Sequence, residues 1–201
     1  MSIRLSESEQ IPFDEASSDP AFADVVDWIV QFLCAPHADV GRLGDVCPFA
    51  RSAVLRKSIA FFSNWSADAD AFEQEVAAHR EDFGQSGGML DTYRCRIIVP
   101  MRIANAAHAV ECVQQRLKPS FVERHLMIGQ FFPGCEEPGL WNRSFRPLQA
   151  PVPLLAIRNM VPTDIAFLYD NAHYVRLYLE KFGGRGRIAL RQLETAREAK
   201  A

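Results

Sequence analysis

A connector between two apolar runs holds the densest set of groups in this chain that could do chemistry. HLMIGQFF (125–132) leads into it and VPLLAIR (152–158) leaves it, with Cys135, Trp141, Arg143, Phe145 and Arg146 between them and Arg158 at the far end. Guanidinium is a fixed fork of donors matched to carboxylate or phosphate, so Arg143, Arg146 and Arg158 together point to an anion. That anion could belong to a ligand. It could equally be internal, with Arg146 and Arg158 bound to Asp164, Glu136 or helix carbonyls and bracing the connector. Trp141, Phe145 and Trp65 offer flat faces to a planar ligand or to the core. Pro138, Pro147, Pro151 and Pro153 each fix φ and stiffen the segment. The connector therefore reads as the wall of a pocket for something flat, anionic or both.

Further candidates lie outside it. Cys47 precedes Pro48 in VCPF, which gives a thiolate a rigid backbone and suits the iron of a haem; otherwise it is a small residue before a helix. His125 opens an apolar strand and could ligate a metal, move a proton as a general base, or simply end a strand. His37, in the loop leading to Cys47, could ligate, gate or be solvated. On this reading Cys47 and His125 are the metal candidates. Arg146 and Arg158 would take haem propionates or a substrate carboxylate, and Trp141 would form a wall. His108 and Cys112, at i and i+4, have metal-binding spacing without a second cluster and read as structural. His79 falls at a core rim and His173 on an outer helix face.

GxGxxG, GxxxxGK[ST], HExxH and GxSxG do not occur, and GGRGR (183–187) follows a helix where a phosphate loop would precede one. The net charge of −3 and the pI near 6.0 provide no basic field for nucleic acid. No run of about 18 apolar residues suggests a membrane span. The five cysteines form no CxxC pair, so reduced cytoplasmic thiols are expected.

The periodicity predicts the elements that must position these groups. A polar, flexible lead-in covers 1–18, and one α+β domain covers 19–201. A helix over 20–34 has Asp19 as cap and Phe22, Val25, Val26, Ile29 and Leu33 as its apolar stripe. A Gly- and Pro-rich loop and a short helix after Pro48 precede a strand at 58–63. A helix over 67–83 closes in the turn GQSGG, and 93–99 alternates as a half-buried strand. The helix over 103–118 ends at Pro119, and 126–132 is a central strand. Pro153 marks the start or edge position of the next strand. Thr163 caps a long helix that Gly183 and Gly184 close, and a last exposed helix follows. The expectation is a single layer of about four mostly antiparallel strands covered by helices.

VGRLGDVCPFARSAV, HLMIGQFFP, LWNRSFRPLQAPVPLLAIR and MVPTDIAFL resemble blocks of an uncharacterised bacterial domain family seen in biosynthetic gene neighbourhoods. The resemblance spans about 37–182. The CPFA segment and the late Pro- and Arg-rich segment also resemble the haem-dependent N-hydroxylases of the guanitoxin pathway. That similarity implies haem b and oxygen-dependent oxidation of an amino-acid-like amine or guanidine. The expected function is a haem-dependent monooxygenase of a small polar metabolite in the cytoplasm, a reading compatible with a redox partner and a homodimer. The alternatives are a non-catalytic binding or accessory protein for an anionic small molecule, and a cofactor-free enzyme with His125 as general base.

Overall fold

A computed structural model describes residues 10–85 and 92–199. Five strands form one open sheet in the order β1-β2-β3-β5-β4: β1 (Ile11–Pro12), β2 (Ile59–Asn64), β3 (Cys95–Pro100), β4 (Leu126–Phe131) and β5 (Leu154–Asn159). The β2–β3 pair is parallel, and the remaining pairs are antiparallel. The fold is thus α+β, with one more strand than the periodicity predicted. The extra strand is β1, whose Ile11 pairs with Phe61. Helix α1 (Phe13–Ala16) follows it and buries Phe13 and Ala16. From residue 10 onward the expected lead-in is therefore part of the fold, because its few apolar residues reach the core. Residues 1–9 and most of the predicted GQSGG turn lie outside the described residues.

Alternation along the strands sends side chains to both faces, and helices cover both. Phe61, Ile97 and Leu154 pack with α2 (Ala23–Trp28) and α3 (Ala50–Leu55). Phe62, Ile98, Leu155 and Ile157 pack with α4 (Ala69–Gln85) and α5 (Ala106–Val122). Strand β3 is consequently buried on both sides, where the sequence suggested one wet face. Its Arg96 is accommodated by an ion pair with Asp82, a hydrogen bond to His79 Nδ1 at 3.1 Å, and the rings of Phe62 and Phe83. His79 is fully buried rather than at a rim. β4 lies at the sheet edge, not at its centre. Its apolar residues are covered by α5 and by the cluster around α7 (Ala172–Glu198).

Several boundaries moved for local reasons. Asp19 caps a turn through Ala21 N (2.8 Å), and α2 begins only at Ala23. Pro119 sits within α5, which continues to Val122, since losing one amide in a well-packed helix does not end it. Thr163 lies in a 3-10 turn, Pro162–Asp164, followed by the short α6 (Ile165–Leu168). The long helix starts at Ala172, where Asn171 Oδ1 accepts the amides of His173 and Tyr174 at 3.0 and 3.2 Å. Gly183 kinks α7 at φ 52° without closing it. Among the described residues no helix is long and apolar enough to cross a membrane.

Candidate functional site

The helix expected over 20–34 does not keep one pitch. After Trp28 it widens into a π-helix over Ile29–Leu33. Phe32 lies in this π-turn, part-buried against the core, and single π-turns of this kind recur at functional sites. Trp28 and Phe32 stack with centroids 6.4 Å apart. His37 follows, capping a 3-10 turn (Ala38–Val40) with Nδ1 accepting the Asp39 amide at 3.1 Å. The connector closes the other side. Gly139 N donates to Phe145 O and Asn142 Nδ2 to Asp39 O, both at 2.9 Å, and the Phe145 ring lies 4.9 Å from that of His37. Gly41 has φ 75°, and a β-carbon there would come within 2.8 Å of Trp141 Cβ, so this loop and the connector meet where only glycine fits.

Between these segments lies a cleft of about 550 Å³. Trp28, Phe32 and Phe145 form its aromatic lining, and His37, Asp39 and Arg146 supply its charged or titratable groups; Ser144 and Gln149 complete it. Among the described residues, Arg146 hydrogen-bonds to the carbonyls of Arg143 and Phe145 and is engaged by no carboxylate. With Nδ1 of His37 acting as acceptor, the neutral ring carries its proton on Nε2. Trp28 Nε1 is itself buried and has no acceptor among the described residues. The cleft thus sets a guanidinium and an imidazole beside flat aromatic faces.

Of the residues singled out from sequence, His37, Phe145 and Arg146 come together here. Arg158 does not. It forms a two-pronged ion pair with Asp164, at 2.7 and 2.6 Å, and Asp164 is 1% exposed and also accepts the Val161 amide at 2.7 Å. Burial alone would lower the pKa of Arg158, but the Asp164 carboxylate outweighs it and keeps the guanidinium charged. This is the internal brace, and Arg158 is not an anion anchor in the cleft. Trp141 packs into the cluster around α7 and does not line the cleft. Cys47 is a half-buried thiol packed against the core under α2 and α3.

His125 lies against α7, beside Leu177 and Lys181, in a left-handed conformation (φ 56°). Its carbonyl accepts from Met160 N and Lys181 Nζ, while its ring Nε2 is buried and has no hydrogen-bond partner among the described residues. Burial, then the nearby Lys181 ammonium, depress its basicity. His108 and Cys112 do touch, at 3.5 Å, but among the described residues no group of three or more His, Cys, Asp or Glu could hold a metal ion. His173 is exposed, as expected, and accepts from Arg176 at 2.9 Å.

Trp28, Phe32 and Asp39 went unrecognised in the sequence. Their signal was weak, since a π-turn alters which helix positions share a face and nothing in IVQFL announces it. The family model described as "Domain of unknown function (DUF6875)" matches residues 22–193, so the chain belongs to that family. No curated protein and no solved structure matches it.

Proposed function

We propose that this member of the DUF6875 family binds a flat, anionic small molecule in the cleft, as a cytoplasmic binding or accessory protein. The observation that carries this reading is Arg146. It is a guanidinium at the edge of an aromatic-lined hollow, and among the described residues no carboxylate engages it. A planar acid would place its ring among Trp28, Phe32 and Phe145 and its carboxylate toward Arg146 and the Nε2–H of His37. Asp39 lies on the same rim and would disfavour a second negative charge nearby, selecting monoanions over dianions.

Haem-dependent oxygenation is supported by the resemblance alone. The residues that would hold haem do not fit one group: Cys47 packs against the core under α2 and α3, His125 against α7, neither lines the cleft, and Arg158 is already engaged. His37 is the imidazole in the cleft, but its Nδ1 accepts an amide proton and leaves no free lone pair on Nε2 for iron. No chemical step is therefore assigned to haem. Adding haem to the purified protein tests it directly: a Soret band that shifts in Cys47→Ser or His125→Ala would restore the oxygenase reading.

The binding reading is tested by thermal shift with benzoate, its uncharged amide and phthalate. Benzoate should raise Tm in a saturable way through mass action, and the amide and the dianion should not. Equal shifts from all three, or none, would remove it.

A further inference from the structure

We infer that Cys34 and Cys47 form a redox-active pair, closed by oxidation into a disulfide. Neither thiol is used by the cleft. Cys34 caps the π-helix and Cys47 begins the turn into α3, so the sequence separates them by a Gly-rich loop. The backbone brings them back together. Pro36 and Asp45 form an antiparallel bridge, and Val46 N donates to Ala35 O at 2.9 Å. Cys47 N in turn donates to Leu33 O at 2.9 Å, so Cys34 and Cys47 both flank one backbone hydrogen bond, and the two thiols interact electrostatically.

Backbone segments joined by such hydrogen bonds lie about 5 Å apart. A disulfide accepts about 4.4 to 6.8 Å, so closure needs no refolding. Arg51 fixes both arms, donating to the Cys34 carbonyl while holding the Asp45 carboxylate at 2.6 and 2.9 Å.

The two sulfurs are unequal in access. Cys47 is half-buried and within reach of a solute, whereas Cys34 is 7% exposed. Burial pushes the Cys34 thiol up to about 11, the Arg51 guanidinium opposing it, so Cys34 is the resolving partner and not the first nucleophile. With a hydroperoxide as oxidant, the Cys47 thiolate attacks an oxygen, the O–O bond breaks, and Cys47 becomes a sulfenic acid. The Cys34 sulfur then displaces hydroxide from Cys47 and gives up its own proton to it as water. Two thiols lose two electrons, and the peroxide is reduced to two waters. In a cytoplasm such a bond is transient and senses redox state. The loop it closes carries His37 and Asp39, which form one rim of the cleft.

The test is a non-reducing peptide map of the full-length reduced protein after brief exposure to hydrogen peroxide, with no ligand present. A cross-linked pair of peptides holding Cys34 and Cys47, short of two hydrogens and restored by dithiothreitol, is expected. Cys47→Ser should abolish the cross-link and leave Cys34 reduced. Cys34→Ala should leave Cys47 as sulfenic or sulfinic acid, with circular dichroism confirming that each variant is folded. Over-oxidation of Cys47 in the wild type while Cys34 stays reduced would overturn the pairing. So would a map in which neither thiol reacts. Because no ligand is used, the result stands or falls apart from the cleft.

Discussion

Arg158, Arg96 and Arg146 look alike in sequence and do different work, and what separates them is the partner each one has. Arg158 is braced by Asp164, which is itself almost completely buried. Removing one member strands the other's charge, so Arg158→Ala or Asp164→Ala should cost about 3 to 5 kcal/mol in urea unfolding. A loss below about 1 kcal/mol, the range of exposed pairs, would contradict a buried brace. Arg96 is likewise enclosed, but it shares its site with His79. Burial, and then the Arg96 charge, lower His79 to about 4, against the pull of Asp82. A histidine whose folded pKa is depressed contributes stability that is fully present above its unfolded pKa, near 6.5. That contribution fades as pH falls from there toward 4, because the unfolded chain takes the proton first. Stability measured by denaturant should drop over this window, and His79→Leu should flatten the drop. An unchanged pH slope in that variant would place the acid sensitivity elsewhere.

At the level of elements, the strand and helix order was readable because apolar spacing reports which face is buried. That is why β2 to β5, α4, α5 and the first half of α7 were anticipated close to their positions. What was missed involves interactions that spacing does not encode. The burial of Arg96 depends on Asp82 and His79 arriving from a helix, so β3 read as half-wet. The edge position of β4 depends on which strand β5 chooses. Asn171 caps α7 because the chain has already turned at Pro162–Asp164, where the sequence offered Thr163 as an equally good cap. The π-turn after Trp28 left no composition signal, so Trp28 and Phe32 of the cleft's aromatic lining were invisible while Phe145 and Arg146 were not. The kink in α7 is open to test. Gly183 sits at φ 52° with no atom within 4 Å of where a β-carbon would go, so its substitution is penalised by backbone strain alone. Gly183→Ala should lower stability by about 1 to 3 kcal/mol in chemical denaturation. A neutral effect would mean that α7 straightens at no cost.

Taken as a whole molecule, the fold separates support from binding. The sheet and its two helical layers take up most large apolar side chains, and the Arg158–Asp164 brace lies on the side of β5 joined to the turn before α6. The π-helix, the His37 turn and the Phe145–Gln149 stretch meet at the rim of this frame, where a guanidinium can remain without an internal carboxylate. Separating the two roles predicts that the cleft can be altered without loss of the fold. The most direct measurement is calorimetric titration of benzoate into the wild type and into Arg146→Ala, with unfolding curves for both. Saturable binding to the wild type, lost in Arg146→Ala while the unfolding midpoint stays within the spread of ordinary surface substitutions, about 0.5 kcal/mol, is the predicted result. Arg146→Ala that binds benzoate as the wild type does, or that loses the fold together with the ligand, would contradict it.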